Sequence, residues 1–186
     1  MVEAAAWLEA LRINLFGVFL MCKYAVPLMI RQRRGKIINL SGGGAVTPRP
    51  RYSAYASSKA GVVRLTETLA GELAEYNIQV NAITSGFVKT RIHEETLKAG
   101  ARAGDELQRT KEMMSSQGVD ARVTSELALF LASEEADGVS GRLLHAVWDD
   151  WRQLGRGGAP RPPMGGRGSW SGAGWCSGTA RDRRSS

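Results

Sequence analysis

Lys36-Ile-Ile-Asn-Leu-Ser41-Gly42-Gly43-Gly44 decides how the chain folds. Ile37, Ile38 and Leu40 make a short apolar, β-branched run without polar alternation, and three glycines end it. That pattern belongs to a strand buried on both faces. Ile78-Gln-Val-Asn-Ala-Ile83 reads as a second buried strand. Between the two, Ser53 to Tyr76 places Val62, Val63, Leu65, Leu69 and Leu73 at helical spacing, with Ser53 as the expected N-cap. Strand, helix and strand in that order predict a parallel sheet with helices on its faces, an α/β, Rossmann-like architecture.

Working outward, Ala4 to Arg34 reads as one long helix, apolar on most sides between Leu11 and Ile30, which predicts burial against more than one neighbour. Pro27 is expected to bend or break it. Residues 84–120 are polar and irregular with helical stretches, the profile of a segment that covers something. Glu126 to Ser133 reads as a short apolar helix and Arg142 to Val147 as a last strand. Residues 1–154 thus form one partial Rossmann-like unit. Residues 155–186 hold nine of the 22 glycines, three of the six prolines and no Leu, Ile, Val or Phe, so a disordered Gly/Arg/Pro/Ser-rich tail is expected.

The chain has 186 residues, 43% of them hydrophobic and 23% charged, which excludes a collagen-like or wholly disordered protein. Cys22 and Cys176 are too few for a disulfide framework, so a reducing, cytoplasmic setting is expected. The apolar run Ile13 to Cys22 stops at Lys23, at about half of the roughly 20 residues a bilayer span needs, so no membrane segment is expected. The opening MVEAAAWLEA has no basic region and does not read as a secretory signal. The net charge of +7 is uneven: residues 1–154 carry 19 Lys/Arg against 17 Asp/Glu, while the tail carries six Arg against Asp182 alone. The tail's GRGG and GGRG runs with Trp170 and Trp175 fit RNA binding, Arg to phosphate and rings to bases. A peptide with no selected role fits them more simply, so a nucleic-acid partner is not expected.

Only one of the four tyrosines, Tyr55, has a lysine four residues on, in Tyr55-Ala-Ser-Ser-Lys59. On a helix the two share a face. A free phenol with a pKa near 10 is a poor acid or base at neutral pH, and a neighbouring ammonium favours the phenolate. Tyr55 is therefore a candidate general acid/base tuned by Lys59. Taken alone, such a pair is weak evidence, because Tyr and Lys at this spacing on a helix are usually a solvated face. His93 and His145 have no ligand spacing, and no metal site is expected.

INLFGVFLMCKYAVPLM, GKIINLSGGGA and YSAYASSKAGVVRLTETLAGELAEYNIQVNAITSGFVKT, in that order, resemble the short-chain dehydrogenase/reductase family over residues 7–151. The resemblance implies an oxidoreductase that transfers hydride between NAD or NADP and a small alcohol or carbonyl substrate, possible relatives being 3-oxoacyl carrier-protein reductases. It implies that Tyr55 exchanges the proton, that Lys59 also holds the nicotinamide ribose, and that Asn14 supports a water relay to Lys59. It further implies that Gly86-Phe-Val-Lys-Thr90 contacts the nicotinamide amide through the Val88 backbone and the Thr90 hydroxyl. The helices 4–34 and 53–76 match those through which the family forms homo-oligomers, so a non-catalytic oligomerisation module is the second reading.

Three departures stand against that pattern. The family's substrate-orienting serine lies about 13 residues before the tyrosine, where this chain has Gly42. Ser41, one residue earlier, points to the other side of an ideal strand and serves only if the glycines bend the chain. The usual Pro-Gly after the second strand reads Ser85-Gly86. No strand followed by a Gly-rich T-G-x-x-x-G-x-G turn occurs in residues 1–154. Such a turn holds the cofactor pyrophosphate on backbone N–H groups. The expectation is an amino-terminally truncated chain, impaired or inactive as it stands, with the phosphate and adenine half of the site missing. The strand at 36–41 is then expected to present a bare apolar edge.

Overall fold

A computed structural model of the chain describes residues 2–116 and 118–154. The segment 155–186, with its expected disorder and the RNA-binding reading, lies outside the described residues. Strand β1 (Gly35–Leu40) pairs in parallel with β2 (Ile78–Thr84), from Gly35 opposite Ile78 to Leu40 opposite Ile83. The short β3 (Leu143–His145) adds in parallel to the end of β2, giving the order β1-β2-β3. Parallel neighbours need a crossover. Helix α2 (Ser53–Glu72) supplies it for β1 and β2, followed by a 3₁₀ turn at Ala74–Tyr76.

Helix α1 (Ala4–Gln32) precedes the sheet. Between β2 and β3 run α3 (Arg91–Ala99), α4 (Asp105–Ser115) and α5 (Ala121–Ala132). The fold is the Rossmann-like α/β arrangement expected from the sequence. Adjacent isoleucines of β1 show the two-sided burial. Ile37 packs with Cys22, Val26, Leu69, Leu73, Ile78 and Val80, between α1, α2 and the sheet. Ile38 packs with Ile83, Leu127, Leu131, Leu144 and Trp151, beneath α5. Each fully buried leucine stabilises the fold by about 1.5–3 kcal/mol relative to exposure. Among the described residues β1 is an edge strand, and its Leu40 is exposed.

Two buried asparagines tie the strands to what surrounds them. Asn39 Nδ2 donates to Thr66 Oγ1 of α2 at 2.9 Å. Asn81 Nδ2 donates to the Val139 carbonyl at 2.7 Å, and its Oδ1 accepts from the Arg142 N–H at 3.1 Å, which fixes the entry to β3.

Several expectations need correction. Ser53 is the first helical residue of α2; Tyr52 occupies the cap and makes no side-chain cap bond. Of the bend or break expected at Pro27, the break does not occur: Pro27 lies inside α1, and the helix runs on to Gln32. Lys23 does not end the apolar segment either: α1 is long and apolar enough, by length and composition, to cross a bilayer. Its inner face is committed to the sheet through Cys22 and Val26, the two buried residues of its Gly17–Gln32 part. The expected burial against more than one neighbour is met by the sheet and by α2, while among the described residues Leu8, Phe16, Met21, Tyr24 and Leu28 stay exposed.

α5 tests the two-faced reading. Leu127→Ala, beneath the helix, is expected to cost about 2–5 kcal/mol in denaturant unfolding. Leu129→Ala, on its exposed face, is expected to stay within about 0.5 kcal/mol of wild type.

Candidate active site

Parallel strands end together, and the loops leaving β1, β2 and β3 meet at one end of the sheet. Ligands of open α/β sheets bind at this carboxyl end. Tyr55 lies in the first turn of α2, directly over the residues that follow β1. A β-carbon on Gly42 would overlap the Tyr55 hydroxyl and lie 3.2 Å from Cζ. Position 42 is thus the one from which a side chain would meet the phenol. Ser41 is buried, and its hydroxyl donates to the Lys59 carbonyl at 3.4 Å.

Lys59, one turn beyond Tyr55, donates from Nζ to the Leu40 carbonyl at 3.0 Å, and Nζ lies 5.9 Å from the centre of the Tyr55 ring. The helix, the ring and the end of β1 therefore converge. Burial pushes the Lys59 ammonium below its ordinary value. Burial also pushes the Tyr55 phenol up, against a smaller lowering by the Arg49 charge. The net lowering of Tyr55 by Lys59 expected from the sequence is not what the free site shows: desolvation of a half-buried phenol outweighs the charges around it.

Asn14 is half-buried in a π-helical turn, Arg12–Phe16, that interrupts α1. Such turns are frequent at functional sites. Leu15 of the same turn packs on Gly61 of α2, where a β-carbon would come within 2.8 Å of its Cδ2.

The loop after β2 turns at Gly86, whose φ of +73° favours glycine and where a β-carbon would face His145, Val119 and Val147 at 3.2–3.4 Å. Val88 is half-buried beyond it. Thr90 caps α3: its N–H donates to His93 Nδ1 at 3.3 Å, and its Oγ1 lies 3.2 Å from the same nitrogen. The pair stands where a capping box has Thr and Glu/Gln. A threonine hydroxyl has one proton and two lone pairs, so Thr90 Oγ1 can serve His93 and still accept an amide N–H.

The 84–120 segment covers this end of the sheet. Tyr52 hydrogen-bonds Thr96 of α3, Arg51 donates to the Arg102 carbonyl at 3.0 Å, and Arg49 pairs with Glu106 of α4 at 3.0 Å. None of Arg49, Tyr52, His93 or Glu106 had a signal in the sequence, because each acts on a partner elsewhere in the fold or on a backbone cap. Among the described residues no His/Cys/Asp/Glu group could hold a metal.

A family profile described as Enoyl-(Acyl carrier protein) reductase matches residues 1–146. The chain belongs to the short-chain dehydrogenase/reductase family. It is 38% identical over 138 residues to the 3-oxoacyl-(acyl-carrier-protein) reductase of Thermotoga maritima, covering 74% of this chain and 54% of the relative. The Staphylococcus aureus enzyme of the same name is 37% identical over 145 residues. Among solved structures, a gluconate 5-dehydrogenase of Burkholderia cenocepacia, in complex with NADP and tartrate, superposes with a TM-score of 0.66 at 30% identity, over 77% of this chain and 55% of that one. The chain spans about half the length of the curated dehydrogenase/reductase relatives it matches.

His93 gives this site a pH signature. Burial first, then the Arg49 charge, hold its imidazole below the usual value near 6.5. The unfolded chain therefore takes up this proton at higher pH than the folded one. Its contribution is intact above about pH 6.5 and is lost as pH falls below it. Burial lowers His145 likewise. Melting temperature is expected to drop between pH 7.5 and 5, and to drop less in His93→Gln, which keeps an acceptor for the Thr90 N–H.

Proposed function

We propose that the chain carries the proton-transfer and nicotinamide end of an NAD(P)(H)-dependent oxidoreductase site that interconverts an alcohol and a carbonyl, of the 3-oxoacyl carrier-protein reductase kind, and that it is impaired or inactive as it stands. The observation that supports this best is the close approach of the Tyr55 hydroxyl to Gly42, with Lys59 one turn away and fixed on the end of β1.

Tyr55 gives its hydroxyl proton to the substrate oxygen on reduction and recovers it on oxidation. Lys59 keeps two of its three ammonium protons beyond the bond to Leu40, enough to hold a pair of ribose hydroxyls. Asn14, in its π turn, supports a water relay to Lys59. Gly86, Val88 and Thr90 receive the nicotinamide amide, through the Val88 backbone and a free lone pair of Thr90. These residues fit the nicotinamide end of NAD or NADP, which when bound supplies or accepts the hydride. The described residues include no glycine turn for the pyrophosphate. Ser41 is a poor substitute for the family serine because its hydroxyl is spent on the Lys59 carbonyl. Gly42 leaves the substrate oxygen one hydrogen-bond donor short. The buried, free Cys22 suits the expected cytoplasmic setting.

Titration with NADH and NADPH, read by nicotinamide fluorescence, tests this reading; absence of binding at millimolar cofactor rejects activity for this chain. Where turnover is measurable, Tyr55→Phe is expected to lower kcat by about 10²–10⁴ while cofactor still binds. Gly42→Ser is expected to raise kcat by up to about 10²–10³, provided Tyr55 shifts to admit the side chain.

The exposed face of α1 favours the second reading, a homo-oligomerisation module. A groove of about 750 Å³ between α1 and α2 is lined by Leu8, Leu11, Leu15, Phe16, Phe19 and Leu65. An apolar patch of this kind marks an interaction surface. Sedimentation is expected to show an oligomer that Phe16→Glu dissociates; a wild-type monomer would count against this reading.

A further inference from the structure

Tyr55 has two cations at nearly equal distance. The Arg49 guanidinium carbon lies 5.7 Å from the centre of its ring and 4.0 Å from that of Tyr52; Lys59 Nζ stands at 5.9 Å from Tyr55. The Lys59 ammonium is turned to the Leu40 carbonyl. Arg49 donates from Nε at 3.2 Å and from Nη2 at 3.0 Å to one oxygen of Glu106, Oε2. The other oxygen, Oε1, accepts from Arg109 at 3.1 Å. The Arg49 and Glu106 side chains are 16% and 10% exposed, whereas Arg109 is 68% exposed. The inner pair is therefore weakly screened, and the outer partner is largely neutralised by water.

We propose that Arg49 is a positioning residue for Tyr55: a second cation beside the phenol, fixed in place by the Glu106 carboxylate of α4, which also sets how much of the charge Tyr55 senses. This rests on the reading of Tyr55 as the proton-exchanging group. The charged and titratable groups gathered here are Lys59 from α2, Arg49 and Tyr52 from the segment before it, His93 from α3, and Glu106 with Arg109 from α4. Of these, Arg49 is the one whose field draws the phenol down against burial, and the same field reaches His93. Glu106 plays two opposed parts: it holds the guanidinium near the ring and it offsets its charge. The placement of α4 is thereby transmitted to Tyr55 as electrostatic potential, across an ion pair that joins positions 57 residues apart.

The opposed parts give a test by sign. In the full chain labelled with ¹³Cζ-tyrosine, the Tyr55 resonance is assigned by its loss in Tyr55→Phe and followed against pH. Arg49→Met removes the cation and leaves the carboxylate, so the Tyr55 midpoint is expected to rise. Glu106→Gln removes the offset, so the midpoint is expected to fall. Arg49→Lys keeps the charge and loses the two-pronged contact, and is expected to titrate close to wild type. A purely structural role predicts a different pattern: all three variants loosen the site and move Tyr55 down together, toward an ordinary phenol. Shifts of one sign in Arg49→Met and Glu106→Gln, or none in either, overturn the proposal. If Arg49→Met fails to fold by circular dichroism, Arg49→Lys decides: a fall matching that of Glu106→Gln overturns the proposal, and wild-type titration beside a lowered Glu106→Gln upholds it. The titration needs neither cofactor nor substrate. Its failure removes the Arg49 role and leaves the oxidoreductase reading standing, while failure of cofactor binding rejects activity and leaves the measured coupling of Arg49 to Tyr55 without a catalytic purpose.

Discussion

Parallel pairing of β1 with β2 is the constraint on which the rest of the structure depends. Parallel strands must be joined by a crossover, and their carboxyl ends lie on the same side. The crossover helix α2 therefore begins close to where β1 ends. A tyrosine in its first turn stands over the residues after β1, and a lysine one turn on reaches the last β1 carbonyl, that of Leu40. The loop after β2, with Gly86 at its turn, arrives at the same end, and His145 of β3 and Val147 just beyond it close it. The same pairing requires cover on both faces: Ile37 and Ile38 of β1, adjacent in sequence, serve different cores, and in β2 the polar Gln79 and Asn81 are buried along with Ile78, Val80 and Ala82.

Within that frame the chemistry at Tyr55 is a contest between burial and charge. A buried phenol is harder to ionise, and a cation nearby makes it easier. In the free chain burial prevails. Lys59 does not lower the phenol as the sequence promised: its ammonium is drawn to the Leu40 carbonyl at the strand end, and burial disfavours its charge as well. Position 42 enters the same contest. With no β-carbon there, the Tyr55 hydroxyl settles against the backbone after β1, in space that a side chain would otherwise claim.

The parts of the fold that were legible in the sequence are those written in local periodicity. β1 and β2 appear within a residue of their observed ends, α2 starts at the expected Ser53 but ends at Glu72 before a 3₁₀ turn rather than at Tyr76, and Tyr55 and Lys59 share the helix face that their spacing dictates. The parts that were not legible depend on a partner elsewhere in the fold or on a local hydrogen bond with no period. Arg49 and Glu106 are 57 residues apart, and neither stands in a pattern. Thr90 and His93 form a cap in which imidazole replaces the usual carboxylate or amide, so the motif does not announce itself. The π turn around Asn14 leaves the apolar pattern of α1 unbroken. β3 shrank to Leu143–His145 because only the last residues of β2 extend far enough to pair with it.

α1 meets more than one neighbour, as its pattern implies, and still leaves one face exposed among the described residues. Apolar residues around most of a helix imply contact on most sides, but they do not say that one copy of the chain supplies it. Here the sheet takes the side bearing Cys22 and Val26, and α2 takes Leu15 through the space left at Gly61. Each face of a sheet accepts one layer of helices. The side of α1 bearing Met21, Tyr24 and Leu28 therefore has no place left within this core. Its charged neighbours do little to make it soluble: Glu9 and Arg12 satisfy each other, and Lys23 stands alone in the 16 residues Gly17–Gln32 until Arg31. This exposed apolar face is the observation on which the proposed homo-oligomer rests.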